Sequence, residues 1–217
     1  MNEPNQTQTT PQFTGKEILS LAKACADKDR FNIHHLLITP NEIVTTNGHF
    51  LTAVIPGSSL GVTKDRYLES NKLKDLRVTD LCEFTDEGMI ATSKRGNKTV
   101  FSYTEASDIC YPDVVQVMPV LRDHHRESNH DAAIGGAAYS GYGIDVLGKL
   151  FSVISGFGLN AIKFCAPDDA LSPSVVMARR DKHEIPLNIY GVVMPLRLDG
   201  NFLDLGDVLR DRLKSAA

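Results

Sequence analysis

Residues Glu42 to Ala53, with the sequence EIVTTNGHFLTA, predict two β-strands joined by a tight turn. The run from Ile43 to Thr46 is β-branched, and β-branched side chains suit the pleated, half-buried surface of a sheet. Asn47-Gly48 is a strong turn pair because both residues tolerate a positive φ. The apolar run resumes at His49-Phe50-Leu51. The stretch therefore predicts a chain reversal at Asn47-Gly48.

A second stretch, Tyr190 to Leu198 (YGVVMPLRL), predicts another strand far away in the sequence. Pro195 interrupts it, and proline is tolerated mainly at the edge of a sheet or at the end of a strand. We expect this stretch and Glu42 to Ala53 to meet in space and to line one pocket.

The composition indicates a globular protein of one or two domains. The chain has 217 residues, of which 42% are hydrophobic and 23% charged. Its net charge of −4 argues against a protein that grips DNA with a basic surface. The net charge is still compatible with a protein that surrounds DNA loosely, because only the inner face needs to be positive. The N-terminus has no signal-peptide pattern and no apolar run could span a membrane, so we expect a cytoplasmic protein.

The cysteines and histidines do not predict a metal site or a cofactor. The four cysteines are widely spaced and predict buried thiols, with a zinc site as the alternative: Cys25, Cys82, Cys110 and Cys165. Three histidines are expected to lie in a solvated linker, again with a metal site as the alternative: His124, His125 and His130. Because the chain also lacks a nucleophile elbow and a P-loop, we do not expect an enzyme.

The order of the predicted elements favours an α+β fold. Residues 1–12 predict a disordered tail. The following elements are a helix from the N-cap Thr14, a hairpin of Phe31–Thr39 with Glu42–Pro56, a second helix at Thr63–Leu76 and antiparallel strands up to Val120. The elements do not alternate as βαβ units, which argues against a doubly wound sheet.

A polar, histidine-rich segment at residues 121–132 predicts a linker between two domains. Residues 13–120 would form a complete domain and residues 133–217 a second, partial one. The second block predicts an amphipathic helix, three strands and a C-terminal helix, at Ile144–Ile154, Ala161–Ala166, Ser174–Arg179, Ile189–Leu198 and Leu203–Ser215.

Several stretches together resemble the bacterial DNA polymerase sliding clamp, the β subunit. Thr46 to Leu51 (TNGHFL) is similar to the family's Thr-Asp-Gly-His-Arg-Leu. Tyr111 to Pro119 (YPDVVQVMP) is similar to its Phe-Pro-Asp segment that runs into Val-Leu-Pro. Tyr190 to Leu198 is similar to its C-terminal Tyr-Val-Val-Met-Pro-Met-Arg-Leu, and Ile144 to Leu150 to its Leu-Asp-Val-Leu helix. These stretches cover most of residues 13–198.

The resemblance implies a DNA-clamp fold, with antiparallel sheets outside and amphipathic helices packed on one face. It implies a processivity factor without enzymatic activity, which encircles double-stranded DNA as a homo-oligomer and tethers a polymerase. An origin in a phage or prophage would suit the short chain. Lysines that would face the DNA without reading its sequence are Lys16, Lys23, Lys64, Lys72, Lys74 and Lys149.

The resemblance also implies a hydrophobic pocket that takes short peptides from DNA polymerases or clamp loaders. The matching positions are Thr46, Gly48, His49, Leu51, Pro119, Val192, Met194, Pro195, Leu196 and Arg197. An apolar groove of this kind would bury leucine and phenylalanine side chains of the peptide. Two alternatives remain: these residues only pack two domains together, or the chain is an interaction module that binds or competes for clamp partners without encircling DNA.

Overall fold

The first helix begins at the predicted N-cap. The computed structural model describes residues 10–25, 33–105, 109, 111, 142–165, 173–181 and 186–194. Strand β1 (Phe13–Thr14) leads directly into helix α1 (Gly15–Ala24). Thr14 Oγ1 accepts a hydrogen bond from the Glu17 amide at 3.3 Å, and Glu17 Oε2 accepts one from the Thr14 amide at 2.6 Å. This capping box satisfies two amides that no helical carbonyl reaches.

The remaining described elements are ten strands, one α-helix and one 3-10 helix. The strands are β2 (His35–Ile38), β3 (Ile43–Thr46), β4 (Phe50–Pro56), β5 (Arg66–Glu69), β6 (Leu81–Phe84), β7 (Gly88–Thr92), β8 (Lys98–Ser102), β9 (Lys163–Cys165), β10 (Ser174–Arg180) and β11 (Leu187–Val193). The 3-10 helix is Ser70–Asp75, and helix α2 is Ile144–Gly156.

Two antiparallel sheets carry these strands. One has seven strands in the order β5-β2-β3-β4-β11-β10-β9, and the other has four in the order β1-β6-β7-β8. Every pairing between described strands is antiparallel, so the α+β prediction is confirmed. The seven-stranded sheet combines strands from both sides of the predicted linker, because β4 pairs with β11 along seven residues.

The helices pack together on one face of the sheets. A Cβ added at Gly156 of α2 would lie 2.4 Å from Ser20 Cβ of α1, so the two helices approach closely at this point. Leu150 of α2 lies over Gly191 of β11. The main core fills the space between helices and sheets, and its fully buried members include Phe13, Ile18, Leu21, Phe84, Val153 and Val176.

The helix predicted at Thr63–Leu76 is wrong. Residues Arg66–Glu69 form β5, and only Ser70–Asp75 turn as a 3-10 helix. Leu68 pairs with Leu36 of β2 and is fully buried. This long-range pairing overrides the local helical preference of the segment.

Several predicted features lie outside the described residues: the first nine residues, the linker at 121–132 and the C-terminal helix at Leu203–Ser215. The division into two domains therefore stays a prediction. Within the described part of the chain, neither α-helix has the length and apolar character needed to cross a membrane.

Candidate partner-binding site

The turn between β3 and β4 is held by its own polar side chains. Asn47 Oδ1 accepts hydrogen bonds from the amides of His49 at 2.9 Å and Phe50 at 3.1 Å. Thr46 Oγ1 donates to the Phe50 carbonyl at 2.6 Å and accepts from the Gly48 amide at 3.1 Å. Gly48 has a φ of +86°, a conformation that glycine adopts without steric penalty. The predicted reversal at Asn47-Gly48 is therefore confirmed.

Strand β11 extends the sheet beside this turn. Leu51 pairs with Val192 and Phe50 with Val193. One residue further on, the Met194 amide donates to the His49 carbonyl at 3.0 Å. The stretches Glu42–Ala53 and Tyr190–Met194 therefore meet in space.

Strand register places part of the predicted pocket on one face of the sheet. Thr46 lies opposite Leu51, and Leu51 lies opposite Val192, so the three side chains form a row on the same face. Met194 follows Val192 by two residues and is 43% exposed, whereas Leu51 and Val192 are buried. This face is opposite the helices, because Phe50 and Val54, which alternate with Leu51, belong to the main core.

A separate apolar cluster lies on the same outer face. Its buried members are Leu37, Val44, Leu51 and Ala53, and it is flanked by Tyr67 and Tyr111. We call these six residues the outer-face cluster. The Tyr111 hydroxyl donates to the Val44 carbonyl at 3.1 Å, and burial raises the pKa of Tyr111 well above its ordinary value. Tyr111 therefore remains a neutral hydrogen-bond donor that is fixed against the sheet.

Six of the ten predicted pocket residues come together, and four lie outside the described residues. Those brought together are Thr46, Gly48, His49, Leu51, Val192 and Met194; those outside are Pro119, Pro195, Leu196 and Arg197. The site prediction omitted most of the outer-face cluster. The alternation of Leu51 with Ala53, and of Val44 with Thr46, is the period-2 pattern that could have identified the shared face.

The predicted DNA-facing lysines divide between the helices and the 3-10 region. Lys16 and Lys23 are exposed and lie seven residues apart on α1, so they share one helical face. Lys149 of α2 lies near the end of α1, where its charge acts on Cys25. Lys72 and Lys74 lie on the 3-10 helix, and Lys64 precedes β5. Lys72 Nζ contacts Thr104 Oγ1 at 3.3 Å and Glu69 Oε2 at 3.9 Å.

Comparisons with known proteins identify the fold. No family model matches the chain, and no curated protein matches it. Among solved structures, the H. pylori β clamp in complex with diflunisal matches with a TM-score of 0.57 at 11% identity, over 88% of this chain and 66% of that chain. The chain has the fold of the bacterial β clamps. The β subunit of the Streptococcus pyogenes DNA polymerase matches with a TM-score of 0.51 at 11% identity, over 91% of this chain and 68% of that chain.

Because the sequence identity to both clamps is only 11%, these matches show a shared fold and no more. The chain spans about two thirds of the length of these clamps, with coverages of 66% and 68%. The clamp fold predicted from the sequence is confirmed, with antiparallel sheets on one side and helices packed against them.

Proposed function

We propose that this protein is a clamp-like processivity factor of DNA replication, which recruits replication proteins by binding their short apolar peptides on the outer face of its seven-stranded sheet. The observation that carries the proposal is the hydrogen bond from the Met194 amide to the His49 carbonyl at 3.0 Å. This bond places an exposed methionine beside the turn, above the row formed by Leu51 and Val192.

The arrangement supports peptide binding for three physical reasons. The Met194 side chain is flexible and polarisable, so it adapts to different apolar partners. Gly48 is exposed and presents backbone without a side chain, which lets a peptide approach closely. Leu51 and Val192 are already buried, so a peptide would contact the exposed residues Met194, Gly48 and His49 at the edge of this face.

Calorimetric titration of a short peptide containing leucine and phenylalanine tests this site. Burial of one large apolar side chain is worth about 1.5–3 kcal/mol, so Met194→Ala is expected to weaken binding about tenfold. Leu81→Ala is the matched control, because Leu81 is 45% exposed, close to the 43% of Met194, and lies on the other sheet. Equal affinities for the wild type and Met194→Ala would contradict the proposed site, as would equal binding of a peptide with both apolar residues changed to alanine.

The helical layer would provide the DNA-facing surface. Lys16 and Lys23 share the exposed face of α1, and loosely held phosphates would contact them without sequence readout. Lys16→Glu with Lys23→Glu is expected to lower the slope of log affinity against log salt by about 0.9 for each lost phosphate contact. Lys98→Glu on β8 is the control for the change of charge. An unchanged slope in the double variant would exclude this face.

The alternative is a clamp-fold interaction module that does not encircle DNA. The observation that favours it is the net charge of −4, which makes a strong attraction to DNA phosphates less favourable. Size exclusion with light scattering at low and moderate salt separates the two functions. A stable closed oligomer supports encirclement, whereas a monomer over a wide concentration range supports the module.

A further inference from the structure

A cleft lies beside the four-stranded sheet, whereas the partner-binding site lies on the seven-stranded sheet. The cleft has a volume of about 530 Å³ and lies between the turn that follows the 3-10 helix and the turn that joins β7 to β8. The residues that give the cleft its charge are Asp75, Arg77, Asp80, Lys94 and Arg95, with three cations against two carboxylates. The volume is within the range of small-molecule sites, which is about 300–1,000 Å³.

The Asp80 carboxylate is the unusual group in this cleft. Asp80 is only 7% exposed, and its Oδ2 accepts a hydrogen bond from the Arg77 amide at 3.0 Å. Its Oδ1 is buried and has no hydrogen-bond partner among the described residues. A buried acceptor without a partner is unfavourable by about 1–3 kcal/mol, and more for a charged group. The carboxylate therefore favours a ligand that donates a hydrogen bond.

The backbone around Asp80 is held in place. The Gly15 amide donates to the Asp80 carbonyl at 2.8 Å, and the Lys16 amide donates to the Val78 carbonyl at 3.2 Å. A Cβ at Gly15 would lie 1.9 Å from the Arg77 carbonyl oxygen, so this turn is packed directly against the start of α1. These contacts fix the backbone of the turn, so rotation of the Asp80 side chain is the motion that brings Oδ1 to a ligand in the cleft.

The basic side chains that line the cleft favour a ligand that also carries a negative charge. Arg77, Lys94 and Arg95 are exposed and line the cleft around Asp80. A purely cationic ligand would be repelled by these three side chains, and an anion without N–H or O–H groups would leave Asp80 Oδ1 without a donor. A ligand that combines a phosphate with N–H or O–H donors satisfies both requirements.

We propose that this cleft binds a nucleotide, with the phosphate on Arg77, Lys94 and Arg95 and a base or sugar donor on Asp80 Oδ1. A monophosphate carries a charge of about −1.5 to −2 near neutral pH, which complements the excess of cations in the cleft. The same chemistry is offered by a free mononucleotide and by the phosphorylated end of a single strand. The site is independent of the peptide site and of the proposed role in replication.

The test is a titration of the full chain with GMP, AMP, CMP and UMP, beside inorganic phosphate alone and guanosine alone. At least one nucleotide is expected to bind about tenfold more tightly than phosphate or guanosine, because each of these lacks one half of the interaction. A 5′-phosphorylated dinucleotide that binds as tightly as the mononucleotide assigns the site to strand ends. Weaker binding of the dinucleotide assigns it to free nucleotides.

Two variants make the site falsifiable. Asp80→Asn keeps an oxygen for the Arg77 amide but presents an amide donor to the ligand, and it should weaken nucleotide binding about tenfold while leaving phosphate binding unchanged. Lys94→Glu should weaken the binding of nucleotide and of phosphate. Lys98→Glu, on the same hairpin but outside the cleft, should leave both affinities unchanged. Thermal unfolding checks that Asp80→Asn folds. If it does not fold, the effect of Lys94→Glu on nucleotide binding tests the proposal. Nucleotide binding that is equal to phosphate binding, or unaffected by Lys94→Glu, overturns the proposal.

Discussion

Glu17 of α1 and Arg180 of β10 form a buried ion pair, with 2.6 Å between Glu17 Oε1 and Arg180 Nη1. The two residues are separated by 163 positions in the sequence, and their side chains are only 6% and 16% exposed. The other carboxylate oxygen of Glu17 accepts the hydrogen bond that caps α1. One side chain therefore fixes the start of the first helix and joins it to a strand from the other half of the chain.

Removal of one partner of this pair should destabilise the fold strongly. Arg180→Met leaves the Glu17 carboxylate buried without its cation, and we expect the free energy of unfolding to fall by about 3–5 kcal/mol. Urea denaturation measures the loss. The control is the neighbouring arginine, because Arg179 pairs with Asp181 at the surface and Arg179→Met should change the free energy of unfolding by about 1 kcal/mol or less. Equal effects of the two substitutions would show that the pair is not buried in solution.

Gly156 is predicted to be intolerant of a side chain. An alanine Cβ would lie 2.3 Å from Ser20 Oγ and 2.4 Å from Ser20 Cβ, so α1 and α2 would have to separate. We expect Gly156→Ala to lower the free energy of unfolding by about 1–3 kcal/mol, although alanine is the better helix former. Gly148→Ala is the matched control on the same helix, because a Cβ there meets nothing within 4 Å. If Gly156→Ala is as stable as Gly148→Ala, the close helix contact is wrong.

Asp86 should make the stability of the fold depend on pH in the acidic range. The Thr63 amide and the Arg66 side chain donate to its carboxylate, and these bonds lower its pKa from 3.8 to about 2. A carboxyl whose pKa is lower in the folded state stabilises that state when it is ionised. The contribution is therefore present above about pH 4 and is lost as the pH falls towards 2.

Replacement of Asp86 isolates this effect. Asp86→Asn should lose stability at pH 6 and should approach the wild type as the pH falls to about 2, where the wild-type carboxyl becomes protonated. Chemical denaturation at a series of pH values measures the difference. Glu87→Gln, one residue away, provides the control. A constant difference between wild type and Asp86→Asn at all pH values would contradict the assignment.

The buried cysteines should be unreactive in the native protein. Burial raises the pKa of Cys25 and of Cys82 to about 12, so both remain protonated thiols at pH 8. Cys165 is only partly buried, which corrects the expectation of four buried thiols, and Cys110 lies outside the described residues. Labelling with a thiol reagent followed by peptide mapping should modify Cys165 before Cys25 and Cys82, which should react only after denaturation. Native labelling of Cys25 as fast as that of Cys165 would contradict the described burial.

Local patterns were sufficient to predict much of the fold. Thr14 as an N-cap residue predicted the start of α1, and Asn47-Gly48 predicted the turn between β3 and β4. The amphipathic pattern at Ile144–Ile154 predicted α2 to within two residues of its end. In each case the information lies within a few residues, where capping, turn geometry and helical periodicity act.

Long-range contacts could not be read from the sequence in the same way. The segment around Leu68 has a helical composition, but it pairs with Leu36 as a strand because burial in the sheet is more favourable than an isolated helix. The pairing of Glu17 with Arg180 and the presence of Asp80 and Lys94 in one cleft also depend on the folded topology. For the partner-binding site, only the resemblance to the clamps suggested that Met194 would lie beside His49.

Photocrosslinking from the edge of the partner-binding site tests the central claim most directly. A photoreactive amino acid placed at position 194, which is 43% exposed in the wild type, should crosslink to a short peptide containing leucine and phenylalanine. The same amino acid at position 81, which is 45% exposed on the other sheet, should not. Crosslinking at 194 that is lost with an alanine-substituted peptide is the predicted result. Equal crosslinking from positions 194 and 81, or none from 194, would contradict peptide capture on this face.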